Sequence, residues 1–187
     1  MRYRQYVFGL ILLSGCSGEV VLDRQAPATF HIEPGGYEQA RVERVVDGDT
    51  IEVRISSVDE GPGAGTVDVG EEYDVRLIGI DTPESVKPGA PVECFGREAA
   101  SAAEALLEGR TVRLVDDVEN VDSYGRLLRY VYLGDEMANA RLVANGYASA
   151  YTYPPNVRHS RLLSDLQSRA EANNAGFWSP NTCDGRP

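Results

Sequence analysis

Five charged side chains in this 187-residue sequence stand beside turn and loop signals. Three are carboxylates and two are arginines: Asp49, Asp81, Glu84, Arg76 and Arg126. Carboxylate oxygens without a histidine or cysteine partner nearby suit a hard cation such as Ca²⁺ or Mg²⁺ rather than zinc. An arginine guanidinium binds two phosphodiester oxygens at once and stays charged at any working pH. A further carboxylate can activate or position a water molecule. If they meet in one place, these residues predict metal-assisted hydrolysis of a phosphodiester.

Each short motif that carries these residues is weak by itself. Asp-Gly-Asp-Thr at 47–50 is most often only a turn, and the same holds for 81–84 and 124–126. Their positions at the ends of predicted strands strengthen the prediction, because side chains at strand ends and in loops can converge on one concave site.

The sequence around these motifs predicts β-strands. Apolar and polar residues alternate along 40–46 and again along 50–55, and Asp47-Gly48 between them is typical of a hairpin turn. A loop rich in glycine and acidic residues follows at 56–72. The third strand runs from Tyr73 to Ile80 and ends before Pro83, which favours extended backbone at the residue preceding it.

The second half of the chain mixes helices with strands. Apolar spacing predicts helices at Cys94–Glu108, Met137–Asn145 and Ser160–Asn174, and strands at Thr111–Val115 and Arg126–Leu133. Five short strands with three helices predict an α+β fold with a mainly β core, namely an OB-type five-stranded Greek-key barrel.

Five segments between Arg41 and Ser179 carry a family resemblance: Val45–Thr50 (VVDGDT), Val75–Glu84 (VRLIGIDTPE), Phe95–Ala99 (FGREA), Asp122–Arg126 (DSYGR) and Phe177–Ser179 (FWS). In this order and spacing they resemble the thermonuclease, or staphylococcal nuclease-like, family. The resemblance implies an OB-fold barrel and Ca²⁺-dependent cleavage of DNA and RNA to 3′-phosphate products.

The resemblance also implies a role for each matching residue. One Ca²⁺ would be held by two carboxylates and a backbone carbonyl, those of Asp49, Asp81 and Thr82. Arg76 and Arg126 would bind the scissile phosphate and stabilise the charge of the transition state. Glu84 would act as the general base or would orient the attacking water.

Tyr124 and Tyr151 match family positions that contact the terminal phosphate and the base of the nucleotide, and Tyr153 matches a neighbouring tyrosine. The resemblance therefore implies that these three tyrosines bind the substrate. Aromatic stacking tolerates any base, which suits a nuclease with little sequence preference acting on single-stranded or locally opened DNA or RNA. In the alternative interpretation, Tyr151 and Tyr153 simply cover one face of a loop. His31 and His159 have no motif context and are interpreted as surface or structural residues.

The charge balance points away from a protein that coats DNA. The chain has 18 basic and 29 acidic residues, a net charge of −11, and a single lysine, Lys87. Ser123 stands where the family often has a lysine, and the acidic loop at 56–72 would repel a polyanion if it faced the site. We therefore expect weaker substrate binding at low salt than in basic relatives. The acidic, arginine-rich composition fits either a salt-loving microbe or a GC-rich genome.

The N-terminus has the features of an export signal. Arg2 and Arg4 precede an apolar run, Tyr6–Leu13, that is too short to cross a bilayer. Leu13-Ser14-Gly15-Cys16 resembles the lipobox of prokaryotic lipoproteins, so Cys16 is expected to be lipidated and to anchor the protein on the extracytoplasmic side of a membrane. An ordinary secretory signal, which would give a secreted protein, is the alternative.

These features divide the chain into a signal peptide (1–15), a flexible tether (16–38), a nuclease-like domain (39–179) and a tail (180–187). Removal of the leader leaves two cysteines, Cys94 and Cys183, and an even pair in an exported protein suggests a disulfide. Two separate thiols are the alternative. We expect a monomer.

A non-catalytic OB module that binds oligonucleotides or a protein is the competing function, because this fold also serves binding alone. Degenerate relatives would be expected to lack one or more of the five charged residues. All five are present here, which favours the enzyme.

Overall fold

Alternating buried and exposed side chains produce the first hairpin of the fold. The computed structural model describes residues 35–86 and 91–183. Strand β1 (Tyr37–Val45) pairs antiparallel with β2 (Thr50–Asp59), and Val45 stands opposite Ile51. The turn between them contains the Asp47-Gly48 pair, so the predicted hairpin is confirmed.

Five strands then close into a barrel. Strand β3 (Glu72–Leu77) pairs antiparallel with β2, β5 (Thr111–Val115) with β1, and β6 (Leu127–Leu133) with β5. A parallel pairing of β3 with β6, in which Val75 stands opposite Leu127, completes the circle, and we call this pairing the seam. The predicted five-stranded OB-type barrel is thereby confirmed.

The three predicted helices are present and are followed by a short 3₁₀ helix: α1 (Gly96–Leu107), α2 (Ala138–Ala144), α3 (Ser160–Ala172) and Gly176–Trp178. Helix α1 packs on β1 and on α2, and α2 packs on α3. Leu142 of α2 and Leu163 of α3 are almost completely buried. Truncation of such a leucine to alanine costs about 2–5 kcal/mol, so this packing fixes the helices against the barrel.

The predicted third strand, Tyr73–Ile80, is wrong at its end. Strand β3 stops at Leu77, because Gly79 adopts a left-handed backbone conformation (φ 81°) that turns the chain. The next two residues form a separate strand, β4 (Ile80–Asp81), which pairs antiparallel with β8 (Ser149–Ala150). A two-residue strand β7 (Glu136–Met137) also pairs with the end of β6. The break at Gly79 is what brings residues near 150 to the end of β3.

The first strand begins earlier than expected. The predicted tether 16–38 includes Tyr37 and Glu38, yet Tyr37 pairs with Asp59 and Glu38 with Val58 in the hairpin. The reason is that β2 continues beyond its predicted end at Ile55 and offers β1 more residues to pair with. The acidic loop is therefore shorter than predicted and covers residues 60–71.

Two opposite charges are buried where β1 and β6 begin. The side chains of Glu38 and Arg129 have no exposed surface, and Arg129 Nε and Nη2 each donate to a Glu38 carboxylate oxygen at 2.9 Å. Asp116 and Asn120 accept further Arg129 N–H groups. Gly65 lies against the pair: its N–H donates to Glu38, and a Cβ at Gly65 would stand 2.1 Å from Arg129 Nη2. The loop 60–71 is thereby tied to the barrel.

Cys94 and Cys183 are joined by a disulfide, which links the residues just before α1 to those after the 3₁₀ helix. Several predicted features lie outside the described residues: the signal peptide, the expected lipidation at Cys16, residues 16–34 of the tether, His31, Lys87 and residues 184–187. Within residues 35–86 and 91–183, no helix has the length and apolar character needed to cross a membrane.

Candidate functional site

The five charged residues singled out from the sequence line one small cavity. It has a volume of about 170 Å³, and Asp47, Thr82 and Pro83 complete its wall. The β1–β2 turn supplies Asp49, the last residues of β3 supply Arg76, β4 supplies Asp81, and Arg126 precedes β6. Glu84 lies on the same wall three residues after Asp81. Four parts of the chain therefore meet here, next to the seam of the barrel.

Asp49 ties the β1–β2 turn to the segment after β4. Its carboxylate accepts hydrogen bonds from the Thr82 N–H (3.0 Å) and the Thr82 hydroxyl (3.2 Å), and only 5% of Asp49 is exposed. Gly48 permits this approach, because a Cβ there would stand 2.7 Å from Thr82 Oγ1. The Asp-Gly-Asp-Thr motif is therefore a turn as well as a supplier of a buried carboxylate.

Arg76 lies between two carboxylates. Its Nη1 forms an ion pair with Asp49, its Nη2 donates to Asp81 Oδ1 at 2.8 Å, and the side chain is 18% exposed. The Ile80 carbonyl accepts from the same Nη2 at 3.3 Å. The guanidinium is thus fixed in the cavity wall by groups from the β1–β2 turn and from β4.

Arg126 is oriented by Asp122, a residue to which the sequence assigned no role. Arg126 Nε and Nη2 both lie 2.7 Å from Asp122 Oδ2, and the backbone N–H groups of Tyr124 and Arg126 donate to Asp122 Oδ1. Burial opposes ionisation of Asp122, but these hydrogen bonds and the charge of Arg126 outweigh it and lower the pKa of Asp122. Aspartate often accepts backbone N–H groups of the turn that follows it, so the sequence Asp-Ser-Tyr-Gly-Arg could have indicated that Asp122 orders this turn.

Asp47 is the second residue that the sequence left without a role. It accepts the Asp49 N–H at 3.1 Å and lines the small cavity. Burial raises the pKa of Asp47, although a hydrogen bond with Thr50 and the positive charges of Arg76 and Arg126 pull it down.

A larger cavity of about 500 Å³ adjoins the small one and shares Arg76 and Arg126 with it. Tyr124, Tyr151 and Tyr153 line this larger cavity, and each is more than half exposed. The rings of Tyr151 and Tyr153 stack with centroids 6.5 Å apart. They therefore offer flat apolar surface beside the two arginines.

The break at Gly79 helps to place Tyr151, whose N–H donates to the Gly79 carbonyl at 2.8 Å. Asn156, which the sequence did not single out, shapes the same cavity: its buried Oδ1 accepts the N–H groups of Val118 and Glu119. Ser123 lies on the wall, where the family resemblance suggested a lysine. His159 packs edge-on against Tyr130 in a structural position, as expected.

The acidic loop does not face either cavity. None of residues 60–71 lines them, because the loop is held against Glu38 and Arg129 by Gly65. The acidic side chains of the loop therefore form no part of either cavity wall.

The oxygen donors of the small cavity fit a hard cation. Among residues 35–86 and 91–183, no three His, Cys, Asp or Glu side chains form a ready metal cluster. Asp49 and Asp81 nevertheless sit on either side of Arg76, and the Thr82 N–H and hydroxyl are both directed to Asp49. Carboxylate oxygens are the kind of ligand that Ca²⁺ and Mg²⁺ prefer.

Comparison with a family model and with known proteins finds similarity over more than half of the chain. Residues 74–180 match the family model described as staphylococcal nuclease homologue. The thermonuclease of Staphylococcus intermedius is 41% identical over 141 residues, which cover 75% of this chain and 76% of that protein. The thermonuclease of Staphylococcus hyicus is 39% identical over 139 residues, covering 74% and 75%. The SPbeta prophage-derived endonuclease YokF of Bacillus subtilis (strain 168) is 33% identical over 142 residues, covering 75% and 44%.

Proposed function

The chain belongs to the staphylococcal nuclease family and is a nuclease, and on that basis we propose that it is a Ca²⁺-dependent phosphodiesterase. We propose that it hydrolyses DNA, RNA or both with little sequence specificity and leaves 3′-phosphate products. The observation that carries this proposal is the shared cavity of Asp49, Arg76, Asp81, Glu84 and Arg126, beside a larger cavity lined by tyrosines.

The metal would be held by Asp49, Asp81 and the Thr82 carbonyl. A bound Ca²⁺ supplies Lewis-acid stabilisation of the phosphate oxygens. Asp49 is prepared for this task by the two hydrogen bonds from Thr82, which fix the direction of its carboxylate.

Arg76 and Arg126 would bind the scissile phosphate. Both are fixed by carboxylate partners before substrate arrives, Arg76 by Asp49 and Asp81 and Arg126 by Asp122. Such preorganised donors stabilise charge that develops in the transition state. An arginine does not give up its proton at working pH, so Arg126 acts through its charge and hydrogen bonds, and the leaving oxygen takes its proton from water.

Glu84 would orient and deprotonate the attacking water. The water oxygen bonds to phosphorus, the bond from phosphorus to the 5′ oxygen breaks, and the phosphate stays on the 3′ side. The carboxylate of Glu84 lines the small cavity and accepts the Val86 N–H at 2.9 Å, which helps to fix its orientation toward a water in that cavity.

The tyrosines would hold the flanking bases. A stacked base gains about 1–3 kcal/mol irrespective of its identity, and an unpaired base is needed for stacking. We therefore propose single-stranded or locally opened nucleic acid as the substrate.

We also propose that the enzyme is a monomer and that Cys16 carries a lipid anchor on the extracytoplasmic side of a membrane. Mass spectrometry of the mature protein would test the lipid anchor.

The decisive experiment is cleavage of plasmid and single-stranded DNA and of RNA by the mature protein, with Ca²⁺ or with a chelator. We expect cleavage only with Ca²⁺, and product ends that a polymerase extends only after phosphatase treatment. Arg76→Ala should lose most of the activity. Binding without cleavage would instead indicate a binding module, and an Arg76→Ala protein as active as the wild type would refute the proposed site.

A further inference from the structure

We propose that Glu93 is a positioning residue for Glu84 and that the Cys94–Cys183 disulfide holds Glu93 in place. The inference rests on the proposed role of Glu84 as the group that handles the attacking water. It assigns a function to a carboxylate and a disulfide that lie outside both cavities.

Glu93 forms two hydrogen bonds with the backbone of Glu84, and we call this pair of hydrogen bonds the clasp. The Glu84 N–H donates to Glu93 Oε2 at 2.8 Å, and the Glu93 N–H donates to the Glu84 carbonyl at 2.8 Å. With both of its backbone polar groups bound, Glu84 has a fixed direction for its Cα–Cβ bond. Its carboxylate is fixed in turn by the Val86 N–H. The geometry of the water-handling group therefore depends on the position of Glu93.

The start of α1 lies against the same segment. A Cβ at Gly96 would stand 2.5 Å from the Glu84 carbonyl oxygen and 3.1 Å from that of Pro83, so only glycine allows this contact. The Gly96 N–H donates to the Glu93 carbonyl at 3.1 Å, which makes Glu93 part of the turn that begins the helix. The clasp is thus continuous with α1.

Burial cannot hold Glu93, because residues 91–94 are all exposed. Two other contacts hold the turn. The disulfide joins Cys94 to Cys183, and the Phe95 ring packs on Tyr147 (centroids 5.6 Å apart) and on Phe177 (6.1 Å). The covalent bond is formed by the residue directly after Glu93, so it restrains the backbone next to the two hydrogen bonds with Glu84.

Misplacement of a catalytic group by about 1 Å can cost on the order of 100-fold in rate. We therefore expect Glu93→Ala to lower kcat by about 10- to 100-fold while KM changes by less than about twofold, since no substrate contact is removed. Glu93→Gln keeps a carbonyl oxygen that accepts the Glu84 N–H and should restore kcat to within about threefold of the wild type. A merely structural role would not produce this kcat-only loss with rescue by glutamine.

The disulfide should act through the same path. A dithiol reductant gives two electrons and two protons to the Cys94–Cys183 bond, which becomes two thiols while the reductant becomes a cyclic disulfide. We expect the reduced enzyme and the Cys94→Ser/Cys183→Ser variant to lose kcat with KM retained. Adding Glu93→Ala to the serine variant should lower kcat little further, because residues that act as a unit are not additive.

The test is steady-state cleavage of a fluorogenic single-stranded oligonucleotide with Ca²⁺, by the full mature chain. Glu98→Ala, an exposed glutamate in the first turn of α1, is the matched control and should keep wild-type kcat. The Glu93 variants keep the disulfide, so they test the clasp even if the serine variant folds poorly. Wild-type kcat in Glu93→Ala, no rescue by Glu93→Gln, or a fully additive triple variant would overturn the inference.

Failure of the inference and failure of the proposed function are distinguishable with one more variant. If Glu84→Gln is as active as the wild type, the proposed role of Glu84 is wrong. If Glu84→Gln is inactive while Glu93→Ala retains full kcat, the proposed function stands and only the positioning role of Glu93 is overturned.

Discussion

Removal of the Glu38 carboxylate is expected to destabilise the protein strongly. The Glu38→Ala variant leaves the Arg129 guanidinium, which has no exposed surface, without its two 2.9 Å hydrogen bonds to a carboxylate. Breaking a buried ion pair from one side costs about 3–5 kcal/mol, because the remaining charge is buried without compensation. Asp116, whose oxygen lies 3.3 Å from Arg129 Nη1, offsets part of the loss, so we expect a value near the lower limit.

The assay is urea unfolding at pH 7, followed by far-UV circular dichroism and by the fluorescence of Trp178, the single tryptophan. The control is Glu52→Ala, which breaks a 2.7 Å ion pair with Arg44 in which the side chains are 31% and 56% exposed. An exposed pair contributes about 0–1 kcal/mol, so the control should unfold at nearly the wild-type urea concentration. The two variants make the same substitution in neighbouring strands and differ in burial.

A cost for Glu38→Ala no larger than that of Glu52→Ala would refute the reasoning, since burial would then have no effect on the value of the pair. The double variant Glu38→Leu/Arg129→Met gives a second check. It removes both charges, so it should be less destabilised than Glu38→Ala alone. A double variant that is more destabilised than the single one would show that the charge left behind is not the cause.

Three further predictions concern the site. Asp122→Asn should lower the free energy of unfolding by about 1–2 kcal/mol at pH 7. The pKa of Asp122 is lowered in the folded state, so this difference in stability should be fully present above pH 3.8, the ordinary pKa of an aspartate. It should vanish as the pH falls through the pKa of Asp122 in the folded protein. A difference between wild type and variant that is independent of pH in urea unfolding would contradict it. Tyr151→Ala should weaken binding of single-stranded oligonucleotides by about 1–3 kcal/mol equally for all four homopolymers, measured by fluorescence anisotropy, and a loss confined to one base would refute sequence-independent stacking. Ca²⁺ at 100 times its Kd should raise the free energy of unfolding by about 2.7 kcal/mol in thermal melts. The Asp49→Asn variant should lose this stabilisation, and the control Asp165→Asn, on the exposed face of α3, should keep it. An equal response of the two variants to Ca²⁺ would exclude Asp49 as a ligand.

The elements with local signals were predictable from sequence. Thr111–Val115 was predicted to the residue, because its alternation is bounded by a glycine and by polar residues. The end of the third strand was not, because the run Ile78-Gly79-Ile80 continues the apolar pattern of β3. The left-handed turn at Gly79 and the pairing of β4 with residues 149–150 depend on a part of the chain far away in sequence.

The same distinction applies to the site. Asp49, Arg76 and Arg126 could be found because each stands next to a turn signal or a strand end. Glu93 could not, because its role arises only when the chain returns to Glu84 and the two backbones bind each other. The pairing of Glu38 with Arg129 was equally hidden, since a glutamate before a predicted strand has the pattern of a solvated linker.

We also expect the seam between β3 and β6 to set the point during folding at which activity appears. Arg76 lies in β3 opposite Leu128, and Arg126 directly precedes the residue that pairs with Val75, so the two arginines belong to opposite sides of the seam. The hairpins of β1, β2 and β3 can form from neighbouring residues, whereas the seam joins segments distant in sequence and pays a larger loop-closure entropy. A refolding chain should therefore recover nuclease activity at barrel closure rather than during the earlier formation of secondary structure.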